Sequence, residues 1–68
     1  MNSYQYDGFF IIPMPEFLVD FGKWKPRFAI HNRDNTAGTV FGSYKRTESR
    51  EEAVKISVVL GKLVIDKL

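Results

Sequence analysis

The chain has 68 residues, no cysteine, one histidine and a net charge of +2 at neutral pH. That length is one domain, residues 1–68, which buries only about 60% of the surface its unfolded form exposes. Disulfides and thiolate metal sites are excluded, and a lone histidine argues against structural zinc, so no metal or cofactor is expected. So short a chain must then rely on a dense core, to which six Phe, three Tyr and one Trp contribute, or on self-association. The missing cysteines suit the cytoplasm. No basic segment precedes the apolar "FFII", which is too short for a signal peptide or a membrane span.

The first strand is expected over residues 4–12. Its "FFII" run puts Phe9 and Ile11 on one face and Phe10 and Ile12 on the other. A sheet with one wet face has no use for both. Either the following "PEFLVDF" covers the second face, or Phe10 and Ile12 meet a partner. Pro13 and Pro15 remove two backbone donors, so the chain must leave the sheet there or run along an edge. "EFLVDFGK" then reads as a turn or short irregular segment pivoting at Gly22. A second strand, residues 23–32, alternates clearly. Trp24, Phe28 and Ile30 point one way, and Lys25, Arg27, His31 and Arg33 the other, with Ala29 between them. "RDNTAG" supplies hairpin turn residues, and a third strand follows over 39–46.

"SREEAVKISVVLGKLVIDKL" closes the chain as a helix. Ser49 and Glu52 have capping-box spacing, with the hydroxyl placed to accept from the Glu52 N–H. Glu51 and Glu52 sit at the positive end of the helix dipole, and Glu51 and Lys55 pair at i,i+4. At about 100° per residue, Glu51, Lys55, Lys62 and Asp66 fall in one wet arc. Ala53, Ile56, Leu60, Leu63 and Val64 form one apolar face, and Val54, Val58, Gly61 and Ile65 form a second. Two readings stay open: a curled sheet buries both faces, or the second face meets another copy of the chain. Ser57 and Gly61 are small enough to let another backbone approach. The preferred dimer interface is Phe10, Ile12, Val54, Val58, Gly61 and Ile65.

Charge is uneven. Residues 1–22 carry Asp7, Glu16 and Asp20 and no base, a net −3. Residues 23–50 carry seven bases against Asp34 and Glu48, a net +5, and residues 51–68 balance to zero. The basic hairpin suggests a nucleic-acid face of Lys25, Arg27, His31, Arg33, Tyr44 and Lys45, in which cations neutralise phosphates and Tyr44 stacks on bases. A solvated charged face explains the same residues, and no nucleic-acid-binding motif accompanies them. Catalysis has less support. His31, Asp34 and Ser43 surround a turn that imposes no hydrogen-bond geometry. Gly38 and Gly42 make no phosphate-binding loop, the Glu51–Glu52 pair is explained by capping, and no small-molecule substrate is evident.

Gly8-Phe9, the Pro13-Met14-Pro15 bend, Gly22-Lys23-Trp24, "REEA" at Arg50 to Ala53, Gly61-Lys62 and Ile65-Asp66 span nearly the whole chain. In these pieces it resembles a group of short bacterial proteins of unknown function. The resemblance implies a stand-alone β-β-β-α protein and brings no activity or site residues with it. Phe10 and Ile12 are more apolar than that group's pattern. The expected fold is α+β, a three-stranded antiparallel meander with one C-terminal helix packed on one face. The expected function is a non-enzymatic homodimeric interaction module, with nucleic-acid binding through the basic hairpin as the alternative.

Overall fold

Asp7 and Gly8 lie in the left-handed region, with φ of 49° and 83°. Two consecutive positive φ values make the tight turn whose twist suits a hairpin, and Asp-Gly is a preferred pair for it. The expected first strand is therefore two, β1 (Tyr4–Tyr6) and β2 (Phe9–Pro13), paired with Tyr6 opposite Phe9. The computed structural model describes residues 3–32 and 38–68. Among them are six strands in two sheets, rather than a three-stranded meander, followed by one helix.

The other strands are β3 (Glu16–Leu18), β4 (Lys23–Lys25), β5 (Arg27–Asn32) and β6 (Gly38–Gly42). One sheet has the order β1-β2-β5-β6, every pair antiparallel, and the second is the β3-β4 pair. The two sheets are one bent hairpin. From Phe9–Asn32 to Leu18–Lys23 the partners keep a constant register, interrupted only where Pro15 faces Pro26. The Met14 N–H donates to the Arg27 carbonyl at 2.7 Å across that break. "EFLVDFGK" is thus the hairpin tip. Its turn closes with Gly22 donating to the Leu18 carbonyl at 2.9 Å, and Gly22 is the pivot at φ 63°.

The prolines fit this ladder. Antiparallel bonding alternates sides along a strand, so the Met14–Arg27 bond aims the nitrogens of Pro13 and Pro15 away from β5. β1 ends opposite Ile11, so neither ring displaces a described ladder bond. Pro26 faces the β6 side, where Ser43 donates to its carbonyl at 3.0 Å but receives nothing back. The chain bulges here. Tyr44, Lys45 and Arg46 are spelled out before Thr47 rejoins Trp24 through two backbone bonds of 2.9 and 2.8 Å. The expected third strand ends at Gly42 for that reason.

The helix α1 (Arg50–Asp66) crosses the sheet face that carries Ile11, Phe28 and Ile30. Its fully buried line is Ala53, Ser57, Gly61 and Ile65, one residue every four. Three of these are small, so the helix sinks deep into the sheet. A Cβ on Gly61 would stand 2.8 Å from the Ile11 side chain. The single Ser57 hydroxyl hydrogen faces two carbonyls, Ala53 at 2.7 Å and Arg27 at 3.2 Å, which ties the helix to β5. Because the central line is so narrow, both flanks reach the sheet. Val54 and Val58 lie on one flank, and Ile56, Leu60 and Val64 on the other, all half-buried.

This corrects the expected inner face. Gly61 and Ile65, assigned above to a dimer contact, lie in the chain's own core, with Ile65 only 3% exposed. Leu63, assigned to the core, is 51% exposed. The core proper is Ile11, Phe28, Ile30 and Ile65, with Phe28 and Phe41 stacked at 5.4 Å.

Candidate functional site

β6 lies at the rim of the sheet, and the helix runs over β2 and β5 instead. The strip between helix and β6 is therefore open. Phe41, Gly42, Leu60, Leu63 and Val64 line one stretch of it, with Lys67 at the end. Ile56, Val59 and Leu60 continue it toward Ser43, Lys45 and Lys55, forming a groove of about 270 Å³. Its walls are almost wholly carbon, with two ammonium groups at the edge. Val59 and Leu63 stand more than half exposed beside it. Such a surface can exclude water from a partner's apolar side chains.

The opposite sheet face follows from the register. Ile12, Ala29 and Val40 form one row, and Phe10, His31 and Gly38 another. Phe10 and Ile12 are half-buried and Val40 is 52% exposed. The "PEFLVDF" segment continues along the ladder rather than folding back over them. Of the residues expected at a dimer contact, only Phe10, Ile12, Val54 and Val58 keep accessible surface. They are divided, two on each face of the sheet.

The expected basic site is divided as well. The stems of Lys25 and Arg27 come together over Gly42, whose Cβ would meet Lys25 Cε at 3.6 Å and Arg27 Cγ at 3.7 Å. His31 covers Gly38 at the other end of β6, where a Cβ would stand 2.5 Å from its ring. Tyr44 projects fully into solvent from the bulge. Lys45 turns to the helix side and edges the groove. Arg33 and Asp34 lie outside the described residues. Ser43 also faces the groove, accepting from the Lys45 N–H at 3.1 Å, so it is not brought to His31. Among the described residues no three His, Asp or Glu side chains cluster as metal ligands.

At the far end of the helix the Tyr6 hydroxyl donates to Asp66 Oδ1 at 2.8 Å, with Lys62 Nζ 5.5 Å from the ring. That hydrogen bond to Asp66 raises the Tyr6 phenol above its usual value. Partial burial and the charges of Asp66 and Asp7 add to the effect. At the near end the Glu52 N–H donates to Ser49 Oγ at 3.2 Å, as the cap requires, and the Ser49 hydroxyl faces Glu52 Oε1 at 3.3 Å. The hairpin tip is held by the segment entering the helix. Arg46 lies 3.8 Å over the Phe21 ring, and Lys23 pairs with Glu48.

Two features escaped the sequence reading. The Ala53–Ser57–Gly61 line was visible as small residues four apart, but its partner was not. The groove gave no signal, because its walls come from residues 41–43 and the helix, which are distant in sequence. No helix among the described residues is long and apolar enough to cross a membrane. Comparison with protein families, with curated proteins and with solved structures finds no match to the chain.

Proposed function

We propose that the chain is a non-catalytic interaction module that acts as a homodimer in the cytoplasm. One observation carries this reading: apolar side chains stand exposed on both faces of the sheet beside β6, Val59 and Leu63 along a carbon-lined groove on the helix side and Val40 on the opposite face. A 68-residue domain has little core to spare, and leaving such a strip in water is unfavourable. Association on the β6 side shields part of it and offsets the poor ratio of volume to surface. Sedimentation of the purified chain tests this. A dimer at micromolar concentration is expected, and a monomer up to about 100 µM, a contact weaker than about −5.5 kcal/mol, overturns it.

A second reading has one observation in its favour. Lys25 and Arg27 converge over Gly42, two residues before the projecting ring of Tyr44. Two cations beside an exposed aromatic suit single-stranded nucleic acid. If it binds, replacing Lys25 and Arg27 together by Ser weakens binding and flattens its salt dependence by about two phosphate contacts. A gel shift at low salt with single- and double-stranded probes decides, and no retardation removes this reading.

A further inference from the structure

The backbone of β6 has a bonding pattern that its side chains alone do not reveal. The Ser43–Pro26 bond sets the alternation, so Phe41 and Thr39 bond toward β5. Gly38, Val40 and Gly42 therefore turn their N–H and C=O groups to the open side of the sheet. Among the described residues no strand pairs with that side. Edge strands ordinarily carry a lysine, a proline or a bulge that discourages pairing. Gly38–Gly42 has none; it reads Gly-Thr-Val-Phe-Gly, uncharged throughout. The outward-bonding residues are also symmetric about Val40, with a glycine two positions to either side.

We infer that β6 is the seam of the dimer: two copies join β6 to β6 antiparallel about a two-fold axis at Val40. Val40 then exchanges both backbone bonds with Val40 of the second copy, and Gly38 pairs with Gly42 in both directions. A two-fold contact requires a self-complementary surface, and this strand is one. The two glycines leave no Cβ at the joint. The two Val40 side chains meet on the face away from the helices, where Val40 is half exposed in the single chain. On the helix face Thr39 lies opposite Phe41 of the second copy. The result is one eight-stranded sheet. Strands about 4.8 Å apart put the two helices roughly 19 Å from each other, beyond the 8–10 Å of packed helices. The grooves of the two copies open toward each other across the axis, floored by both Phe41 rings. The helices do not touch, so the Val58 flank, on the β1 side, takes no part.

This inference rests on the self-association proposed above, and the experiment separates the two. Val40→Pro removes an N–H that the single chain leaves unused, which edge strands tolerate, yet it takes both bonds from the axis. Val40→Lys sets two like charges opposite each other without touching the backbone. Sedimentation equilibrium and circular dichroism are measured for the parent, both Val40 variants and Val58→Lys. The expected result is a dimeric parent, dissociation constants raised on the order of a hundredfold in both Val40 variants with unchanged helix signal, and a dimeric Val58→Lys. A dimeric parent whose Val40 variants remain dimers overturns the seam and leaves self-association standing through another surface. A monomeric parent overturns both. Should Val40→Pro fail to fold, Val40→Lys and amide exchange of the parent decide: exchange at Val40 must slow as protein concentration rises, and exchange independent of concentration overturns the seam.

Discussion

Gly61 is the point of closest approach between helix and sheet, and its missing side chain sets the depth of packing. Alanine there gains up to about 1 kcal/mol of helix propensity. Its Cβ, however, would stand 2.8–3.0 Å from three carbons of Ile11, a residue with no exposed surface and nowhere to move. Overpacking a core costs about 1–3 kcal/mol, so Gly61→Ala is expected to lose roughly 1 kcal/mol net in denaturant unfolding. A gain would mean that the helix rides higher above β2. Tyr6 makes a different prediction. Its phenol holds its proton more tightly in the folded chain, mainly through the bond to Asp66. The resulting stabilisation is complete below the unfolded value of about 10 and is lost as pH rises through the raised folded value. Tyr6→Phe should therefore flatten the fall in stability above about pH 10, read from melts at a series of alkaline pH values.

The helix was legible as an element and misread as a surface. Its start at Ser49, the acids of its first turn and its wet arc of Glu51, Lys55, Lys62 and Asp66 all stand as the spacing implied. Which apolar arc faces inward was not decidable from periodicity, since the apolar residues cover both flanks. The small residues decide it by letting the helix sink along Ala53, Ser57 and Gly61. Paired truncations test the assignment. Ile65→Ala should cost about 2–5 kcal/mol, as buried large-to-small changes do, whereas Leu63→Ala should stay within about 0.5 kcal/mol. Equal costs would mean that the inner line has been misplaced. The first strand failed for a simpler reason. "YDGF" carries the strongest short hairpin signal in the chain, and reading the apolar run straight through it merged β1 with β2.

The folded chain is elongated, about 37 × 20 × 16 Å, because the central hairpin runs past the helix and ends in the β3–β4 tip. That tip is secured by Arg46 over Phe21, the Lys23–Glu48 pair and the Trp24–Thr47 bridge. The helix covers β2 and β5 and leaves the inner side of β6 in the open. If this strip is covered by a second copy, folding and association are linked by mass action. The melting temperature should then rise with protein concentration over about two decades, by several degrees for a domain of this length. A melting temperature independent of concentration would mean that the single chain is the folding unit.

Local chemistry settled the pieces. Turn residues, the alternation in β5, the cap at Ser49 and the lack of cysteine are each readable over a few neighbouring positions. An α+β domain with a C-terminal helix follows from them, because strands that alternate and a helix with an apolar arc must bury those sides against each other. What only the tertiary structure decided is pairing between distant residues. Pro15 facing Pro26 divides one hairpin between two sheets, Ile11 meets the bare backbone of Gly61, and Val40 lies on an open edge. Each depends on which strand lies beside which, and a one-residue change of register would turn every side chain to the other face.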